Sequence, residues 1–64
     1  MTMTAAEFKR IRQAMGLTQA ALADLLGVTR VTIARYEARA RRIPEMAARL
    51  LTRLRDEAKR RGSD

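Results

Sequence analysis

The chain has neither cysteine nor histidine among its 64 residues. Without cysteine, no disulfide staples the fold. Without either residue type, a Cys/His zinc site and Cys- or His-based nucleophilic schemes are excluded. The lack of cysteine fits a cytoplasmic setting. No apolar run approaches the roughly 18 residues of a membrane span. Met1-Thr2-Met3-Thr4 has neither the cationic start nor the apolar block of a secretory signal. There is no strand pattern, internal repeat or low-complexity tract. The length suits one domain, and a domain this small buries only about 60% of its unfolded surface, so its core is small.

Acidic residues are scarce. Seven Asp and Glu stand against fourteen Lys and Arg, which gives a net charge of +7 and a pI near 11.5. Most of the cations are arginine, whose planar fork grips phosphate and guanine better than lysine does. This balance points to a polyanionic partner.

Helical period runs through every segment, which predicts an all-α chain of four helices. Thr4 and Glu7 form a T-x-x-E capping box that starts a helix over about 5–15. Phe8, Ile11 and Met15 make its apolar stripe, and Gly16 follows as a C-terminal cap. Thr18 caps a second helix over 19–26, with Leu22, Ala23, Leu25 and Leu26 on its inner face and Gly27 ending it. Thr29 caps a third helix over 30–38. Ile33 and Tyr36 face inward there, with Val28 as a staple before the cap, and Arg30, Val31, Ala34 and Arg35 face out. Arg39-Ala40-Arg41-Arg42 reads as a basic loop. Pro44 suits the first turn of a fourth helix over 44–59, and 60–64 reads as a frayed tail. Met46, Ala47, Leu50, Leu51 and Leu54 form the fourth helix's apolar face. That stripe is first of all core, although three short helices leave room for a partner on it.

Gln19 to Tyr36 therefore reads as a helix-turn-helix whose second helix enters a DNA major groove. Small Ala23 lets the two helices approach closely. Gly27 takes the positive φ that the sharp turn requires. Thr18 and Thr29 leave helix N-termini, with free N–H groups, where phosphate can dock.

Arg12, Gly16-Leu17-Thr18-Gln19, Leu22-Ala23, Gly27-Val28-Thr29, Ile33 and Tyr36-Glu37 together resemble the phage-repressor-like helix-turn-helix family, the Cro/C1 or Xre type. The resemblance spans about residues 5–51 and implies a compact, four-helix, lambda-repressor-like domain over 1–64. It implies that Gln19 touches phosphate, that Arg30, Val31 and Arg35 face base edges, and that Arg12 and Glu37 form an internal ion pair. One position departs from the pattern. Two residues after Glu37 the family commonly has glycine, and here stands Arg39. A non-glycine residue in a left-handed cap costs roughly 1 kcal/mol or more. On this reading the third helix either runs on by a turn or ends without that cap.

The candidate site residues divide by role. Arg30 and Arg35 are base readers, since arginine forks onto guanine O6 and N7. Lying five apart, they do not share one narrow face, so one can read a base while the other grips the backbone. The competing reading leaves both solvated or on phosphate. Val31 suits a thymine methyl or is an ordinary exposed valine. Gln19, Thr29, Thr32, Arg39, Arg41 and Arg42 are phosphate candidates. Thr29 is also a cap, Thr32 can turn against its own helix, and the loop arginines can be a solvated face. Arg12 and Glu37 are structural.

The leading function is a sequence-specific regulator of transcription that binds double-stranded DNA. As a homodimer it would place two recognition helices on a near-palindromic site and repress a small phage, plasmid or toxin–antitoxin type operon, its own promoter included. It would be cytoplasmic and nucleoid-associated when bound. The alternative is a protein-interaction module such as an antitoxin, against which the short 60–64 tail weighs. A membrane-surface role for the fourth helix is opposed by Asp56, Glu57 and the lack of tryptophan. No spacing suggests an enzyme. No metal, cofactor or small-molecule ligand is expected.

Overall fold

Threonine starts each of the first three helices, and a left-handed residue ends each of them. The computed structural model describes residues 3–62. Met1, Thr2, Ser63 and Asp64 lie outside the described residues, and so do the ends of the expected 1–64 domain and of its tail. The helices are α1 (Ala5–Ala14), α2 (Gln19–Leu26), α3 (Arg30–Glu37) and α4 (Glu45–Gly62).

The caps form as local chemistry dictates. At α1 the Glu7 N–H donates to Thr4 Oγ1 at 3.1 Å, and the Thr4 N–H donates back to Glu7 Oε1 at 3.2 Å. That second bond holds the Glu7 carboxyl below its usual pKa, the Thr4 hydroxyl adding to the effect. Thr18 accepts from the Ala21 N–H at 3.0 Å, and Thr29 accepts from the Thr32 N–H at 3.3 Å.

The three C-termini share one hydrogen-bond pattern. Leu17 N–H reaches Arg12 O, Val28 N–H reaches Ala23 O, and Ala40 N–H reaches Arg35 O, at 3.2, 3.0 and 2.9 Å. The residue before each donor bonds three positions back, to Gln13, Asp24 and Tyr36 respectively. This paired closure requires a left-handed residue. Gly16 (φ 71°) and Gly27 (φ 73°) supply the first two. A Cβ at either would meet nothing within 4 Å, so conformation rather than space calls for glycine there.

Arg39 supplies the third, at φ 62°. Both sequence expectations for this point are corrected: α3 neither runs on nor lacks the cap. Two backbone hydrogen bonds, with Tyr36 and Ile43 buried on either side of the turn, outweigh a strain of about 1–2 kcal/mol. Arg39→Gly should therefore raise stability by up to about 1 kcal/mol, the relieved strain less the added freedom of an unfolded glycine. Urea titration should show a higher midpoint with an unchanged slope. A lower midpoint would mean that the arginine is unstrained.

The core consists of Phe8, Leu22, Ala23, Ile33, Tyr36, Ile43 and Leu51. The Phe8 ring meets Tyr36 edge-on, with centroids 5.7 Å apart and planes at 74°. α2 packs chiefly on α3 across Ala23, and α1 braces both α3 and α4. Ile43, hidden between the basic run and Pro44, was not anticipated as core. Its apolar character in that polar stretch was the available signal.

Four expected inward positions face out instead: Leu25 is 52% exposed, Met46 78%, and Val28 and Leu50 37% each. Each lies roughly 100° from the centre of its helix's inner stripe, or, for Val28, just past the left-handed turn. On α4 the stripe is two residues wide. Leu51 is buried, Ala47 and Leu54 pack beside it, and Met46 and Leu50 sit on the outer flank. The expected bounds of α1 and α3 shorten by one residue each, and α4 differs more. Pro44 precedes it, its carbonyl accepting from the Ala48 N–H at 3.1 Å. Arg60, Arg61 and Gly62, expected in a frayed tail, belong to the helix. Lys59, Arg60 and Arg61 in its last turn and Glu45 in its first suit the helix dipole.

Candidate nucleic-acid interface

The site begins behind α3, at a buried charge. Arg12 projects from α1 and is 9% exposed. Its Nε donates to Glu37 Oε2 at 2.7 Å and its Nη2 to Glu37 Oε1 at 2.9 Å. Its Nη1 donates to the Leu17 carbonyl at 2.8 Å. This two-pronged bond raises the Arg12 pKa above its usual value, against an opposing pull from burial. Glu37 is the last residue of α3, so the clamp ties α1 and the chain entering α2 to the far end of α3. Among the described residues, no buried side-chain nitrogen or oxygen lacks a hydrogen-bond partner.

Gln19 joins the same network. Its Nε2 donates to Glu37 Oε1 at 3.3 Å, which orients the side chain at the first turn of α2. The sequence points Gln19 to phosphate, and the fold adds this tether to Glu37. One amide hydrogen and the amide oxygen remain outside that bond.

At the start of α3, the Thr29 and Thr32 hydroxyls lie 3.0 Å apart and bond each other. Thr29 takes the Thr32 N–H, while the first backbone N–H groups of an α-helix have no partner within it. Arg30, Val31 and Arg35 are all exposed on α3, and Ile33 and Tyr36 are buried on its other side. Helix geometry puts Arg30 and Arg35 about 140° apart around the axis and about 7.5 Å apart along it. They bracket the outer face rather than sharing a line. Arg39, Arg41 and Arg42 gather elsewhere, in a hollow with Met3, Thr4 and Ile43 at the C-terminal end of α3.

The arrangement is thus a short helix with a cationic outer face, its inner face anchored in the core and its end clamped by a buried ion pair. Among the described residues, no helix is long and apolar enough to cross a membrane, and no cluster of acids groups in a way that could hold a metal ion. A search of curated proteins gives no match. A family model described as helix-turn-helix matches residues 8–54, from the core phenylalanine of α1 to Leu54 of α4. The chain belongs to the Cro/C1-type helix-turn-helix family of DNA-binding regulators.

Proposed function

We propose that the protein reads a specific double-stranded DNA sequence and represses transcription there as a homodimer. Its setting is a small phage, plasmid or toxin–antitoxin type operon, its own promoter included, on the nucleoid in the cytoplasm. It acts by occupying DNA rather than by catalysis. One observation carries this reading: Arg30, Val31 and Arg35 stand exposed on a helix whose opposite side is locked into the core. A rigid helix presenting forked donors is what base-edge recognition requires.

In this proposal Arg30 and Arg35 bond guanine edges and Val31 meets a thymine methyl. Gln19, Thr29 and Thr32 bond phosphate from the starts of α2 and α3. Arg39, Arg41 and Arg42 neutralise phosphates along the flank, which supplies affinity and strong salt dependence. Two copies would enter successive major grooves about 34–36 Å apart.

Selection of bound duplexes from a random pool tests the reading, and a near-palindromic consensus is expected. On that site Arg30→Ala or Arg35→Ala should cost about 1–3 kcal/mol and relax the preference at one base position. Arg41→Ala should weaken all sequences alike and lower the salt slope by about one. Equal losses on selected and random DNA for both Arg30→Ala and Arg35→Ala would show that neither side chain reads a base.

A further inference from the structure

The face that joins two copies is a separate question from the face that reads DNA. Among the described residues five large apolar side chains are exposed, and three of them share one place: Val28, Met46 and Leu50. With Leu26, Pro44 and Ala47 they line a hollow of about 270 Å³ between α4 and the turn joining α2 to α3. Met46 projects from its edge, more exposed than any of the others. One surface thus carries both an apolar knob and an apolar hollow.

Charge selects the occupant. Each copy bears +7, so two copies repel through most of their surface. Two other hollows are rimmed by cations, one by Arg39, Arg41 and Arg42 and one by Arg10, Arg55 and Lys59. A second copy is unwelcome at either. No charged side chain lines the Met46 hollow. Its neighbours on α4 are Glu45 and Arg49, one of each sign, both well exposed and paired to each other at 2.9 Å. A two-fold contact places the same patch on both partners, so a patch with one acid and one base complements itself. Tyr36 is the only α3 residue in the hollow, so Arg30 and Arg35 stay free.

We propose that a second copy of this chain docks here, the Met46 knob of each copy entering the apolar hollow of the other, while Glu45 and Arg49 exchange partners across the two-fold. The inference rests on the homodimeric reading above and supplies its surface.

The lack of cysteine gives a clean test. Met46→Cys carries a single thiol, and mild oxidation should yield a covalent dimer far faster than Lys9→Cys, on exposed α1, does. In analytical ultracentrifugation Met46→Glu should weaken the dimer roughly tenfold or more. Glu45→Arg and Arg49→Glu should each weaken it, and the two together should restore it. Met46→Glu should still bind a half-site duplex like the unaltered chain while losing affinity for the full site. A Met46→Glu chain that dimerises normally, or charge swaps without mutual rescue, overturns the face. An unaltered chain that stays monomeric both free and on full-site DNA also overturns it, and leaves the α3 reading intact. Site selection that returns no consensus would sink the DNA-reading proposal and leave the dimer face standing.

Discussion

Arg12→Ala should cost about 3–5 kcal/mol of folding stability, because it strands a buried carboxylate. The Glu37 side chain is 5% exposed, and Arg12 supplies two of its three hydrogen bonds. A chain of 64 residues has roughly 3–10 kcal/mol of stability in all. The variant should therefore lose much of its helical circular dichroism at 222 nm at low urea, where the unaltered chain is folded. Glu37→Ala should behave alike, by leaving a buried guanidinium. Arg12→Met combined with Glu37→Leu should recover most of the loss, since apolar groups of similar volume leave no unpaired charge. Single truncations costing under about 1 kcal/mol would class the pair with ordinary surface bridges. The hydrogen bond to Glu37 raises the Arg12 pKa in the folded chain, so the contribution of the charged guanidinium is present at neutral pH. It fades as pH climbs through the arginine range.

Phe8→Ala should cost a comparable 3–5 kcal/mol by opening a cavity at the centre of the core. Phe8 is fully buried, and its ring meets Tyr36 edge-on, a geometry worth about 0.5–1.5 kcal/mol beyond area. The pair joins α1 to α3, so the loss should loosen the recognition helix as well as the fold. Phe8→Leu, which keeps most of the volume, should cost distinctly less. Leu25→Ala is the control. It removes a leucine from a half-exposed site on α2 and should change stability by about 0.5 kcal/mol or less. Urea midpoints compare all three. A Phe8→Ala loss no larger than that of Leu25→Ala would contradict the placement of the core.

Much of this molecule is legible in short windows of sequence. The T-x-x-E box at Thr4, the caps at Thr18 and Thr29 and the turn at Gly27 depend on contacts three to five residues apart. Helical period sets Arg30, Val31, Ala34 and Arg35 outward on α3, and the structure exposes all of these but Ala34, which is half-buried. What sequence reading got wrong depends on neighbours distant along the chain. Leu22 and Leu25 are alike as residues, yet one is fully buried and the other half exposed, according to where α3 lies. Ile43 is core because the chain after α3 folds it into the cluster that holds Tyr36. Met46 and Leu50 are exposed because the helices that pack on α4 cover Leu51 and leave the outer flank of the stripe open.

Arg39 shows the division most clearly. Locally, an arginine argues against a left-handed cap. The residue adopts one because two backbone bonds and the burial around it outweigh the strain. Gln19 was assignable from the motif, but its tether to Glu37 exists only once α1, α2 and α3 have met.

The sequence by itself determined the all-α class, the starts of the first three helices, the glycine turns and the basic outer face of α3, since hydrogen bonds and periodicity within a few residues decide those. Only the tertiary structure decided which apolar side chains are core, how α3 ends, and which face is left for a partner. Those outcomes depend on burial, and burial is a property of all four helices packed together rather than of any one segment.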